Sequence, residues 1–402
     1  MFTFEVGMGV VMSTNDTSDT GGIVVARSSS VTSENSYLVR YVSTSGETSE
    51  AWCGEGALKA AVESAAVSEN STGAKASKAT TRSSISSKEP TMKAVRIHDY
   101  GDASVLRYED APEPAFAPDE VLVRVVGTSV NPVDWKIRQG HLKDMLPFSM
   151  PFIPGWDVSG IVHAVGAQVR RFKPGDAVYG RPDIARNGTY AEYVAVRESE
   201  LANKPRTISH IEAGVLPLAG ITAWEAVVTA GGVQAGQRVL VHAAAGGVGS
   251  LAIQIAKARG AHVIGTASGG NRALVESLGV DQFIDYKTQE LQDAGRNVDL
   301  VIDTIGGQVQ HDSFAVMGPE AMLVSTVGDP TTDPARRHGQ RAKGIFIQPN
   351  VPVLDQLTMM VDDGRLRVVI CAEFGLKDIR RAHALSESGH AVGKIAIYVG
   401  QP

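Results

Sequence analysis

The sequence predicts an α/β protein in which a mostly-β domain is followed by a doubly wound parallel-sheet domain, behind a disordered N-terminal tail. Three observations predict it. Arg238-Val-Leu-Val-His-Ala-Ala-Ala-Gly-Gly-Val-Gly-Ser250 passes from a short apolar strand through a small-residue turn into a helix, Leu251–Arg259. Upstream, Lys93–Ile97 and Glu120–Val126 alternate like half-buried strands. Ahead of both, residues 1–91 are roughly one-third Ser and Thr with little apolar periodicity, a composition too poor in apolar side chains to offset ordering.

The turn is the most informative stretch. Ala244, Gly246 and Gly249 occupy the three positions of a G-x-G-x-x-G pattern, with alanine in the first and Gly247 and Val248 completing it. Such a turn lets backbone approach a pyrophosphate at the positive end of a helix. A bare glycine pattern is equally an ordinary strand-to-helix turn. His262–Thr266, a second short apolar strand after the helix, supplies the setting that a nucleotide site requires.

The chain divides into a tail over 1–91, a mostly-β domain over 92–215, the parallel-sheet domain over 216–345 and a C-terminal return over 346–402. Gly155–Gly166, Phe172–Tyr179 and Gly188–Val196 read as short strands with glycine turns. Gln282–Asp285, Val298–Asp303 and Met322–Thr326 read as further buried strands separated by helix-length segments. An amphipathic helix over Leu354–Val361, a helix over Leu376–Ser388 and a strand over Gly393–Val399 make the return.

Composition narrows the partners. The 402 residues carry a net charge of -6 with both signs mixed, which points away from nucleic acid. No apolar run is long enough to span a bilayer. Two cysteines, Cys53 and Cys371, make neither a disulfide framework nor a metal cage, and Cys371 reads as a small buried hydrophobe. A cytoplasmic location is expected. The Ser/Thr-rich tail also resembles an organelle transit peptide, but Asp16, Asp19, Glu34, Glu47 and Glu50 count against that. Met92 would make a natural start.

Five phrases, in order, carry a resemblance: Val130-Asn-Pro-Val-Asp-Trp-Lys-Ile-Arg138, Pro154-Gly-Trp-Asp-Val-Ser-Gly160, Lys173-Pro-Gly-Asp176, Ala244-Ala-Gly-Gly-Val-Gly249 and Gly393-Lys-Ile395. From Met92 onward the chain resembles the medium-chain dehydrogenase/reductase superfamily, and within it the zinc-independent quinone oxidoreductase branch related to zeta-crystallin. The resemblance implies a GroES-like substrate domain, an inserted Rossmann domain and an active site in the cleft between them. A homodimer or higher homo-oligomer is expected.

The cofactor expected is NADP(H). Sites for NAD usually place Asp or Glu at the end of the second strand. Here that place reads Thr266-Ala-Ser-Gly-Gly-Asn-Arg272, in which Ser268 offers a hydroxyl and Arg272 a charge-assisted contact for a 2′-phosphate. The resemblance adds a phosphate-facing Tyr286. Arg272 as a solvated helix-start residue and Tyr286 as a packed strand end remain alternatives.

Matched to zinc-dependent relatives, Asn131 stands at the first cysteine ligand, Trp156-Asp157 at His-Glu, and Leu218-Ala219 near the last ligand. That set cannot supply three or four zinc donors. Hydride transfer without a Lewis acid favours acceptors that delocalise charge, namely quinones and α,β-unsaturated carbonyls, whose enolate oxygen needs hydrogen-bond donors. Asn131, Lys136 and Tyr190 are the candidate donors, and the resemblance implies a place for Thr222 beside the nicotinamide. Lys136 reads equally as a solvated, snorkelling lysine, and Thr222 as the N-cap of a helix over Ala223–Val228. Asp134 reads as holding its loop and His242 as a strand-end core residue. The expected activity is NADPH-dependent reduction of quinones or enones. A dedicated alkenal or enoyl reductase, and a nucleotide-binding protein with weak turnover used structurally, stand as alternatives.

Overall fold

The computed structural model describes residues 90–401 and, before them, four strands between residues 9 and 54. Those are β1 (Gly9–Ser13), β2 (Asp19–Ser28), β3 (Ser36–Val42) and β4 (Thr48–Gly54), paired in sequence order as an antiparallel sheet. The disordered-tail expectation otherwise falls on residues outside the described ones. Within the strands, runs such as Tyr37-Leu-Val-Arg-Tyr-Val42 have the aromatic and β-branched content that an average over 91 residues conceals.

The mostly-β part begins one residue earlier than expected, at β5 (Thr91–Arg96), which pairs with β6 (Arg107–Pro112). β6 carries Arg, Glu and Asp and gives no apolar signal. The main sheet takes β7 (Glu120–Val130), β8 (Val158–Val165), β9 (Ala177–Gly180), β10 (Tyr193–Arg197) and β11 (Leu201–Asn203). Its order is β11-β9-β8-β7, with β10 also on β7.

The parallel sheet follows as β12 (Arg238–Val241), β13 (His262–Ala267), β14 (Gln282–Asp285), β15 (Val298–Asp303), β16 (Met317–Ser325) and β17 (Arg341–Gly344). The order β14-β13-β12-β15-β16-β17 is third, second, first, fourth, fifth, sixth, the doubly wound Rossmann order. Its switch point lies between β12 and β15, and the small-residue turn leaves β12 there. β16 starts five residues before the expected Met322. β17 is an edge strand of Arg-Ala-Lys-Gly, which no hydrophobic pattern announces.

Helix Val351–Asp362 then leads back to the first sheet. There β18 (Ile370–Gly375) pairs parallel with β19 (Lys394–Tyr398), and β19 pairs antiparallel with β7. The expected return strand therefore lies in the sheet formed by residues 120–203. Cys371 is exposed, contrary to expectation, because β18 is an edge strand on which alternate residues face solvent.

The helix after the turn runs Gly247–Ala258, and Ala252, Ile253, Ile255 and Ala256 bury one face in the core of the parallel sheet. Ala243 adopts a positive φ of 47°, which lets the chain leave β12 sharply. A Cβ on Gly249 would drive into the Ala243 carbonyl oxygen. We therefore expect Gly249→Val to destabilise by about 1–3 kcal/mol, the usual cost of overpacking. Urea unfolding measures it, and an unchanged midpoint would show that the turn has room.

Candidate functional site

Four adjacent strands end in one row. Asn131 follows β7, Asp157 precedes β8, Arg181 follows β9 and Lys394 opens β19. The pairings Ile395↔Val130 and Val158↔Gly180 place Lys394 beside Asn131 and Arg181 opposite Asp157. Asp157 is fully buried and is the hub of the row. Its Oδ1 accepts the Leu218 N–H at 2.6 Å. Its Oδ2 accepts the Ser129 hydroxyl at 2.5 Å and the Asn131 amide at 2.8 Å, with Lys394 Nζ at 3.5 Å.

Lys394 is 5 % exposed, and its ammonium also donates to Asn131 Oδ1. The Asn131 amide nitrogen reaches Ser129 Oγ at 3.2 Å as well as Asp157. Both of its hydrogens thus have acceptors, whereas the ammonium has three hydrogens for two partners. Sequence reasoning quoted Gly393-Lys-Ile395 as a motif but gave Lys394 no role. The signal was a charged residue opening an otherwise apolar strand.

Tyr190 is fully buried, and its hydroxyl donates to Asp134 Oδ2 at 2.8 Å. His383 lies behind it. Arg138 Nη1 donates to His383 Nδ1 at 3.0 Å, so Nε2 carries the proton and donates to the Tyr190 oxygen at 3.3 Å. Burial, reinforced by the Arg138 guanidinium, lowers the His383 pKa to about 3 and keeps the imidazole neutral. Tyr190 thus positions Asp134. As expected, Asp134 holds its loop, accepting the Asn131 N–H at 2.7 Å where the helix Pro132–Arg138 begins. Burial raises its pKa to about 7 against the opposing pull of the Asn131 N–H and the Tyr190 hydroxyl.

Lys136 is half-buried with its ammonium 5.7 Å from the Trp135 ring centroid. Thr222 lies inside the helix Pro217–Trp224 and donates to the Leu218 carbonyl at 2.7 Å. The N-cap alternative for Thr222 fails because the helix starts at Pro217 and continues as a π-turn over Glu225–Thr229. His242 is a buried tie between Thr266 and Ser313, and burial lowers its pKa to about 4.

At the turn, the first intrahelical bond runs from the Ser250 N–H to the Gly246 carbonyl, 2.9 Å. The N–H groups of Gly247, Val248 and Gly249 precede it, as at any helix start. Ala244 is fully buried with its N–H on Thr266. With no Cβ at Gly246, Gly247 and Gly249, these residues fit a pyrophosphate at the turn. The C-terminal return reaches the same turn. Gly393 donates to the Ala245 carbonyl at 2.7 Å, and a Cβ on Gly247 would lie 2.8 Å from Lys394 Cδ.

Beyond β13, Ser268 Oγ accepts the Asn271 amide at 3.1 Å. Arg272 pairs with Glu276 at 3.2 Å and lies 4.4 Å from the Phe283 ring centroid. Tyr286 is 62 % exposed, with its N–H on Ala267, so it is not a packed strand end. One acid missed in the linear sequence stands here: Asp285 Oδ2 would be 2.5 Å from a Cβ on Gly269. It arrives from the neighbouring strand, so no spacing from the glycines announces it.

Two family models match the chain, "Alcohol dehydrogenase GroES-like domain" over residues 117–206 and "Zinc-binding dehydrogenase" over 278–397. A chloroplast envelope quinone oxidoreductase homolog of Arabidopsis thaliana is 33% identical over 326 residues, covering 76% of this chain and 98% of that protein. The chain belongs to the medium-chain dehydrogenase/reductase superfamily. An NADPH-dependent alkenal/one oxidoreductase, chloroplastic, of the same plant is 36% identical over 322 residues, covering 76% and 79%. The solved quinone oxidoreductase of Coxiella burnetii superposes with a TM-score of 0.72 at 36% identity, covering 77% and 100%. As a member of this superfamily, the chain is an oxidoreductase that uses a nicotinamide cofactor. Among the described residues, no helix is long and apolar enough to cross a membrane.

The buried Asp134 carboxyl sets a pH dependence. Folded, it holds its proton to about 7, against an ordinary value of 3.8. The folded state then binds more protons at this group between these values, so the contribution of Asp134 to stability is greatest below pH ~4 and is lost as pH rises to ~7. Asp134→Asn should remove roughly 2–4 kcal/mol of that decline. Urea midpoints of both proteins from pH 4 to 8 measure it, and parallel curves would mean that Asp134 is ionised throughout.

Proposed function

We propose that this chain is an NADPH-dependent reductase of quinones and α,β-unsaturated carbonyls that operates without zinc. The observation that carries the reading is Lys394, a buried ammonium lying along the dinucleotide turn and held on Asn131 and Asp157. The bound nicotinamide supplies a hydride, which together with one proton from solvent saturates an enone or reduces a quinone. When hydride reaches the β-carbon of an enone, negative charge moves to the carbonyl oxygen. Lys394 has a hydrogen left to donate there, and a preorganised donor lowers the barrier most where charge develops. Asn131 and Asp157 hold that ammonium in place, Tyr190 acts one step behind through Asp134, and Lys136 lines the approach.

The zinc-free reading rests on donor chemistry. The Trp156 indole offers no lone pair, and the Asn131 amide oxygen already accepts from Lys394. Gly246, Gly247, Val248 and Gly249 cradle the pyrophosphate, with Ala244 beneath and Thr222 near the nicotinamide end. Ser268, Arg272 and Tyr286 favour NADP(H), with the guanidinium offsetting the neighbouring Asp285. We place the protein in the cytoplasm as a homodimer or larger homo-oligomer. Association is supported by the open edge of β17 and by Val327 and Phe346, exposed beside it. Chloroplast relatives make an organelle the competing location, decided by sequencing the mature N-terminus.

Steady-state oxidation of NADPH should be rapid with a quinone and an enone and negligible with a saturated ketone, and should survive prolonged chelation. Turnover of the saturated ketone alone would overturn the reading. Arg272→Ala should weaken NADPH binding by roughly 1.5–3 kcal/mol and NADH far less. Equal loss for both, measured by fluorescence titration, would remove Arg272 from phosphate recognition.

A further inference from the structure

Among the described residues nine large apolar or aromatic side chains are exposed, and three of them stand together. Ile305, Val327 and Phe346 follow β15, β16 and β17, three neighbouring strands of the parallel sheet. The pairings Asp303↔Ser325 and Ser325↔Gly344 set these strand ends level. Each apolar residue lies two positions beyond its paired residue, so the three form a row across the C-terminal end of the sheet. At ~4.8 Å per strand spacing, the row is roughly 10 Å long. Single exposed apolar side chains are normal, whereas a contiguous set marks a surface that meets something apolar. Sequence reading passed over the three because each stands alone in its loop, and only the register brings them together.

The row rests on a fixed base. Asp303 and Ser325 are fully buried beneath it. Asp303 Oδ1 accepts the N–H groups of Ile305 at 2.9 Å and Gly306 at 2.8 Å, and its Oδ2 accepts the Ser325 hydroxyl at 2.9 Å. Ser325 Oγ in turn accepts the Val327 N–H at 3.3 Å, and the Ser325 carbonyl accepts the Ile345 N–H at 2.9 Å. The backbone is thus pinned from below while the three side chains stay 40–49 % exposed. The inner end adjoins the dinucleotide turn, since β15 is the neighbour of β12 and the Thr304 hydroxyl donates to the His242 carbonyl at 3.5 Å. Ligands of open α/β sheets occupy the crevice outside these strand ends, beside the switch point.

We propose that Ile305, Val327 and Phe346 are a shelf for the apolar tail of the acceptor, and that the preferred acceptors are α,β-unsaturated aldehydes with a long linear alkyl chain. The conjugated carbonyl oxygen faces Lys394, and the chain on the β-carbon runs outward over the row. Hydride from NADPH reaches the β-carbon and a solvent proton the α-carbon, giving the saturated aldehyde and NADP+. A second copy at the β17 edge would cover the row from Phe346 inward. An acceptor chain fills it from Ile305 outward, which makes the two occupants separable.

This inference rests on the reductase reading and names its substrate class. The test measures NADPH oxidation with the series from trans-2-pentenal to trans-2-decenal, which share one conjugated aldehyde and differ only in chain length. A methylene buried on all sides accounts for about fourfold in affinity, and an open shelf covers one side, so about twofold per methylene is expected, roughly thirtyfold over the series. Because the chain is remote from the reacting atoms, the gain falls in KM and leaves kcat nearly level. Ile305→Ser and Val327→Ser should each flatten the series, and Phe346→Ser should flatten only its longest members. Each protein is compared with itself along the series, so a general loss of activity cancels. A flat wild-type series overturns the inference without needing any variant to fold, and so does a slope that survives in both Ile305→Ser and Val327→Ser. If Ile305→Ser lowers the molar mass in light scattering, the inner end belongs to an interface between copies and the inference fails. If neither trans-2-pentenal nor trans-2-decenal nor a simple quinone is reduced, the reductase reading fails and takes this inference with it. If trans-2-pentenal is reduced well and the series is flat, the inference alone fails.

Discussion

The carboxylate of Asp157 is the constraint on which the rest of the site depends. One side chain accepts from Ser129 and Asn131 at the end of β7, from the Leu218 backbone at the start of the helix leading to the parallel sheet, and lies 3.5 Å from Lys394 at the start of β19. Three pieces of chain distant in sequence are therefore fixed about two oxygen atoms. A buried carboxylate is costly unless donors reach it, and here both oxygens have them: the Leu218 N–H on Oδ1, and Ser129, Asn131 and Lys394 on Oδ2. Because the same residue joins the two sheets, the position of the ammonium relative to the dinucleotide turn is not free to drift.

The parallel sheet was the most legible part of the sequence. Val239–Val241, Gln282–Asp285 and Val298–Asp303 are buried on both faces, and such strands appear as short apolar runs with nothing else that they can be. Their helices could be placed between them for the same reason. Edge strands made of polar residues were not legible, although β14, an edge strand with an apolar centre, was. β6 and β17 consist of polar residues whose strand conformation comes from pairing with a neighbour, a tertiary effect that local pattern does not carry. β18 misled in a related way. Cys371 has the character of a core residue, but its strand is at an edge and its alternation turns it outward.

The site was legible by position and not by role. Asn131 and Tyr190 stand where the motifs put them, yet the hydrogens of both are already directed at protein acceptors. Whether a donor is available depends on its neighbours, and these come from other strands: Ser129 from β7, Asp157 from before β8, Asp134 from the following helix. Lys394 was hidden for the converse reason. In sequence it is a lone lysine between a glycine and an isoleucine, and only the pairing of β19 with β7 brings it to Asn131. Asp285 beside Gly269 illustrates the same limit on the cofactor side, because counting along the chain cannot see an acid delivered by the adjacent strand.

Replacing a metal-ligand set with this row changes how the site handles charge. A bound divalent cation concentrates positive charge at one point and polarises whatever oxygen reaches it. A lysine held by an amide and a carboxylate supplies less charge, but with direction, and it depends on burial to be effective, since water would screen it.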